Sequence, residues 1–113
     1  MKLPSDADLL RIFIGEDEKY KGKPLYRAII EEARADGLAG ATVLRGVAGF
    51  GGSSRIHTSK ILMLSEDLPM IVEIVDRPDR IEAFVPKLEG MIRHGLVTLE
   101  KANVLAYRYG EKE

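Results

Sequence analysis

Residues Leu9 to Ile14, Leu-Leu-Arg-Ile-Phe-Ile, present apolar side chains on both alternating faces. Side chains of a strand point alternately to opposite sides. Leu10, Ile12 and Ile14 therefore line one face, and Leu9, Arg11 and Phe13 the other. Both faces are largely apolar, so both need cover. Helices of the same chain suit one of them. The other calls for a second subunit, because a large exposed apolar patch is a liability. This one strand predicts a sheet and an oligomer together.

The rest of the chain supplies the partners of that strand. Gly15 ends the run, and the charged segment Glu16–Lys23 follows. Pro24 suits the first turn of a helix. Leu25, Ala28, Ile29 and Ala33 then recur at helical spacing, with Gly37 as the C-cap. Thr42–Val47 reads as a second strand with a bulge at Gly46, and Met70–Val75 as a third. Asp76 is the expected N-cap of a second helix, with Pro78 in its opening turn. Ile81, Phe84, Val85, Leu88 and Ile92 form its apolar stripe, and Gly95 its end. Leu96–Leu99 and Val104–Tyr107 are strand-like, split by Glu100-Lys101. The order predicts an α+β, ferredoxin-like βαββαβ fold, a four-stranded antiparallel sheet with both helices on one face.

At 113 residues the chain is expected to be a single domain over 1–113. Its 17 basic and 18 acidic residues give a net charge of -1, which argues against nucleic acid or an anionic membrane surface as partner. No apolar run approaches the roughly 20 residues of a membrane span. The N-terminus has no long apolar stretch of a signal peptide, so a cytoplasmic protein is expected. Cysteine is absent, which excludes disulfides and thiolate metal sites. His57 and His94 are too few ligands for a metal centre.

Chemistry concentrates in one loop. Gly49-Phe50-Gly51-Gly52-Ser53-Ser54 ends a hydrophobic strand and runs straight into Arg55, Ile56, His57 and Thr58. Three glycines expose backbone N–H groups, two serines add hydroxyls, and Arg55 adds a planar cation. Those are the parts of an anion site, most often for phosphate; the same residues also serve plain turn geometry. Arg55 and His57 suit a pair of cations around a phosphate. A different class of reading makes His57 a general base for Ser53 or Ser54 in a small phosphohydrolase or transferase, but the loop holds no acid to orient it. A third class is an oligomeric scaffold with no ligand. Lys21 and Lys23 stand ahead of a helix N-terminus, where cations oppose the helix dipole. They are either solubilising or contacts for an anion at that helix end. Glu16, Asp17 and Glu18 are expected to be solvated or paired with those lysines. Tyr26 is expected in the core or an interface, Phe50 as a wedge of the loop base into the core, and Arg45 as an edge or interface cation.

Gly37-Leu38-Ala39-Gly40-Ala41-Thr42-Val43, then Gly49-Phe50-Gly51, then His57-Thr58, and finally Tyr107-Arg108-Tyr109-Gly110-Glu111, resemble the nitrogen-regulatory PII signalling proteins. Tyr20-Lys21-Gly22-Lys23-Pro24-Leu25-Tyr26 and the run Gly49–His57 look more closely like a smaller, uncharacterised PII-like family, one of the numbered families of unknown function. The resemblance implies a homotrimer with ligand clefts between adjacent subunits. It implies that Thr42 faces an adenine, that Gly51, Gly52 and Ser53 contact phosphate, and that Arg108 reaches the cleft. It also implies a mobile loop at about 52–68 that meets a protein partner. The glycine-rich segment with which PII proteins bind outer phosphates is replaced here by Met91-Ile92-Arg93-His94-Gly95-Leu96. AMP or ADP is therefore the expected ligand, with no tightly bound cofactor and no catalytic residue.

Overall fold

The computed structural model describes residues 5–52, 57–58 and 67–109. Eight strands and two helices occur among them: β1 (Asp6–Gly15), β2 (Lys19–Tyr20), β3 (Lys23–Pro24), α1 (Leu25–Ala35), β4 (Thr42–Arg45), β5 (Ala48–Gly49), β6 (His57–Thr58), β7 (Pro69–Asp76), α2 (Pro78–Glu89) and β8 (Leu96–Asn103). Four of the strands form the main sheet in the order β4-β7-β1-β8, every neighbouring pair antiparallel. The fold is α+β and ferredoxin-like.

Alternation on the two central strands decides where the core sits. Leu10, Ile12 and Ile14 of β1 and Met70, Val72 and Ile74 of β7 are buried in one cluster with Leu25, Ala28, Ile29 and Ala33 of α1 and Ile81, Phe84 and Leu88 of α2. Both helices therefore cover the same sheet face. Burying one large apolar side chain contributes about 1.5–3 kcal/mol, so this shared cluster dominates the stability of the fold.

Among the described residues no element covers the opposite face. Leu9, Arg11, Phe13, Ile71, Glu73 and Val75 are half-buried there, and Leu44 and Leu96 are 46% and 58% exposed. Register sets Leu96 beside Phe13 and Leu44 beside Ile71, which makes an apolar row across the four strands. The next row is polar: Thr98, Arg11, Glu73 and Thr42. Arg11 Nε donates to Glu73 at 2.8 Å, and its Nη1 pairs with Glu100. The bond to Glu73, aided by the charge of Glu100, holds the guanidinium more firmly protonated than usual.

Several boundaries differ from those expected. The last strand is continuous from Leu96 to Asn103, and Val104–Tyr107 leaves the sheet. Glu100 and Lys101 do not split it, because β1 engages both: Glu100 pairs with Arg11, and Lys101 Nζ lies 3.2 Å from Asp8 Oδ1. The second helix stops at Glu89 rather than near Gly95, closed by short-range bonds from Gly90 N–H to Lys87 and from Met91 N–H to Leu88. Gly95 instead lets the chain turn against β1, where a Cβ would come within 2.8 Å of the Phe13 carbonyl oxygen. Arg77, not Asp76, is the N-cap of α2, and Asp76 remains in β7 opposite Asp8. Pro24 is the N-cap of α1 and Asp36 its C-cap, with Gly37 one residue further on at φ +74°. The charged segment holds the short β2–β3 hairpin, which alternation does not reveal. Within it Glu16 pairs with Arg45 rather than with Lys21 or Lys23. Arg45 is thus an edge-strand cation, and Tyr26 packs half-buried against the core. Phe50 does not wedge inward; it is 69% exposed.

Candidate functional site

Thr42 opens the edge strand β4 and is exposed. The turn before it, Gly37–Gly40, is held by side chains. Asp76 Oδ2 accepts from the Ala39 N–H at 2.8 Å, and Asp76 Oδ1 accepts from the Arg77 N–H at 2.7 Å. Arg80 donates to the carbonyls of Gly37 at 2.6 Å and Asp36 at 3.2 Å. From the solvent side the Tyr107 hydroxyl donates to the Ala39 carbonyl at 3.1 Å. Arg108 follows Tyr107 and is exposed. The residue before Arg108 is thus bonded to the turn that leads into Thr42.

The other end of β4 leads into the glycine loop. Gly46 N–H donates to the Pro69 carbonyl at 2.7 Å. A Cβ on Gly46 would lie 2.7 Å from Pro69 Cγ, and one on Gly49 would lie 3.2 Å from it. Glycine at Gly46 is needed for close packing of the loop base against β7, and at Gly49 the fit would be tight. Gly49 then pairs with His57, and Ala48 with Thr58, in the small β5–β6 ladder. Gly51 and Gly52 differ from Gly46 and Gly49. Both are exposed, neither has positive φ, and a Cβ on either would meet nothing within 4 Å. No packing among the described residues requires glycine there. Ser53, Ser54 and Arg55 lie outside the described residues, as does most of the 52–68 loop.

Lys21 and Lys23 occupy a different place. With Tyr20, Glu31, Glu32 and Lys87 they line a cleft of about 530 Å³ between the β2–β3 hairpin and the two helices. Lys23 Nζ donates to Glu31 at 2.7 Å, and that bond holds the Glu31 carboxyl below the usual carboxylate range. Lys21 has φ +50° and stands 5.3 Å from the centre of the Tyr20 ring. Lys87 bonds Asp36 and Glu32, and the Asp36 bond raises its ammonium above the ordinary lysine value.

Sequence reading misses the roles of Asp76 and Tyr107. A signal for Asp76 exists. It falls on the same alternation parity as Met70, Val72 and Ile74, where a carboxylate is costly unless bonded. Tyr107 carries no such signal, because its contact depends on a turn far away in the chain.

The model of the DUF190 family, described as Uncharacterized ACR, matches residues 7–104. The chain belongs to the DUF190 family. A UPF0166 protein of Aquifex aeolicus is 43% identical over 97 residues, covering 86% of this chain and 91% of that one. A UPF0166 protein of Methanocaldococcus jannaschii is 33% identical over 99 residues, covering 87% and 91%. Among solved structures the DUF190 chain is similar to CPII, a nitrogen regulatory PII-like protein from Thiomonas intermedia K12 bound to ADP, AMP and bicarbonate. That likeness covers 88% of each chain with a TM-score of 0.59 and 16% identity. A second CPII structure, bound to ADP and bicarbonate, gives a TM-score of 0.58. The likeness establishes a shared PII-like fold. No helix of the described residues is long and apolar enough to cross a membrane.

Proposed function

We propose that this DUF190 protein is a cytoplasmic, PII-like regulatory module rather than an enzyme. It binds AMP or ADP in clefts between three copies of the chain, and the 52–68 loop is the segment that answers the ligand and meets a protein partner. The observation that carries this reading is the pair Gly51 and Gly52, whose lack of side chains serves no packing among the described residues. Glycine in such a place suits close approach of a ligand to the backbone. Thr42 opens the edge strand β4, and the Gly49–Gly52 run follows beyond the other end of that strand; in this reading Thr42 meets the base and the glycine run the phosphate. Ser53, Ser54, Arg55, His57 and Arg108 complete the proposed contacts. The apolar row Leu96–Phe13–Ile71–Leu44 on the open sheet face supports the trimer, since a second copy would cover it. CPII, of like fold, is described with ADP and AMP bound, which supports an adenine nucleotide as the candidate.

Calorimetric titration of the full chain with AMP, ADP and ATP tests the proposal. Saturable binding of AMP or ADP without turnover is expected, with the melting midpoint rising as ligand is added. No heat and no shift with any of the three removes the nucleotide. Release of phosphate during incubation shifts the reading to a hydrolase using His57.

A further inference from the structure

Both backbone polar groups of Ala39 are bonded to side chains from distant parts of the chain. The N–H is taken by Asp76, which is completely buried at the end of β7. The carbonyl is taken by Tyr107, which lies past the last strand and is 37% exposed. Arg80 braces the same turn through the carbonyls of Gly37 and Asp36. One side of the turn is thus built into the core, and the other is tied to the C-terminal segment by one hydroxyl. That segment has a fixed start, because the Val104 N–H donates to the Ser5 carbonyl at 2.7 Å. Between Val104 and Tyr107 it is irregular and exposes Leu105 at 90%, so Val104 and Tyr107 are its two points of attachment among these hydrogen bonds.

We infer that Tyr107 is a positioning residue: its hydroxyl latches the C-terminal segment onto the Gly37–Gly40 turn, so that Arg108 and Thr42 are presented together. The inference rests on the nucleotide reading for its consequence, but not for its geometry. A ligand that touches both residues would otherwise have to order the C-terminal segment as it binds, at a cost in affinity. With the latch closed, that ordering is already present in the free protein. Tyr109 provides the control. Its ring lies 6.4 Å from that of Tyr107, edge to face, and it is 65% exposed, but no hydrogen bond to the turn involves its hydroxyl.

The test uses the full chain and two variants, Tyr107→Phe and Tyr109→Phe, each lacking one hydroxyl and nothing else. The Gly40 amide belongs to the same peptide group as the Ala39 carbonyl, so its nitrogen chemical shift reports the latch directly. Tyr107→Phe is expected to move the Gly40 signal and to lower the heteronuclear NOE of Arg108 and Tyr109, which reports fast backbone motion. It is also expected to weaken AMP binding about two- to tenfold, the range for one exposed hydrogen bond. Tyr109→Phe leaves all three readouts at the parent values. If Gly40 and Arg108 are unchanged in Tyr107→Phe, the latch does not exist. If they change and AMP affinity does not, the positioning role is overturned. If the parent chain binds no AMP, the nucleotide proposal falls, while the Gly40 and Arg108 signals still decide the latch.

Discussion

A methyl group at Gly46 would sit 2.7 Å from Pro69 Cγ, whereas one at Gly51 would meet nothing within 4 Å. Gly46→Ala must push the proline ring or the strand that carries it, with the Pro69 carbonyl also close at 3.3 Å. Overpacking of this kind costs about 1–3 kcal/mol, so the melting midpoint should drop measurably in a thermal scan. Gly51→Ala has no such clash and a φ that alanine tolerates. Its fold stability should stay within about 0.5 kcal/mol of the parent. In the same variant AMP affinity should fall if the proposal holds, because the methyl would occupy the space it assigns to the ligand. A Gly51→Ala chain that binds AMP as tightly as the parent would remove the observation on which the nucleotide reading rests. Thr42→Val separates the two ends of the proposed ligand. It keeps the shape and deletes the hydroxyl, so preference for AMP over GMP should shrink in parallel titrations while the phosphate contribution persists.

Helix α1 and the β2–β3 hairpin are joined through Lys23 and Glu31. The bond from Lys23 lowers the Glu31 pKa, helped by the charges of Lys23 and Arg27. A carboxyl with a depressed folded-state pKa stabilises the fold above its unfolded pKa, and that contribution is lost as pH falls through the folded value. Both groups are half-exposed, so the effect on global stability is small. The carboxyl carbon shift of Glu31 should therefore titrate below the ordinary glutamate range, and Lys23→Ala should bring it back up. An unchanged titration in Lys23→Ala would show that the Lys23–Glu31 pair does not form in solution. Strand β8 illustrates the same principle within the sheet. Its charged pair Glu100-Lys101 resembles a break, yet Arg11 and Asp8 on the neighbouring strand turn both residues into cross-strand contacts.

Among the described residues, one face of the sheet is covered by both helices and the other is left uncovered. On the open face an apolar row runs beside a polar one in which Arg11 is shared by Glu73 and Glu100. Such a surface suits assembly with copies of itself, since the apolar row gains from burial and the charges on it are already paired. Leu44→Glu combined with Leu96→Glu puts two carboxylates into the apolar row at positions that are exposed in the single chain. The variant should remain folded by circular dichroism and appear as a monomer by native mass spectrometry, where a trimer is the state proposed for the parent. A parent chain that is monomeric at micromolar concentration would remove the proposed intersubunit cleft altogether.

The type and order of the main elements are legible in the residues. The alternation of Leu9–Ile14 and Met70–Val75 and the helical spacing from Leu25 to Ala33 and from Ile81 to Leu88 are local signals, and local sterics and burial enforce them. The loop glycines are legible for the same reason. What separates Gly46 from Gly51 is not, because that distinction depends on where Pro69 lies in space. The continuity of β8 depends on partners carried by β1, and the exposure of Phe50 on how the β5–β6 ladder leaves the sheet edge. The turn before Thr42 is the clearest case. Its hydrogen bonds come from Asp76, Arg80 and Tyr107, residues brought there only when the central strands pair and α2 folds back. A sequence encodes its periodicities residue by residue, but a hydrogen bond between distant residues exists only once the intervening chain has packed.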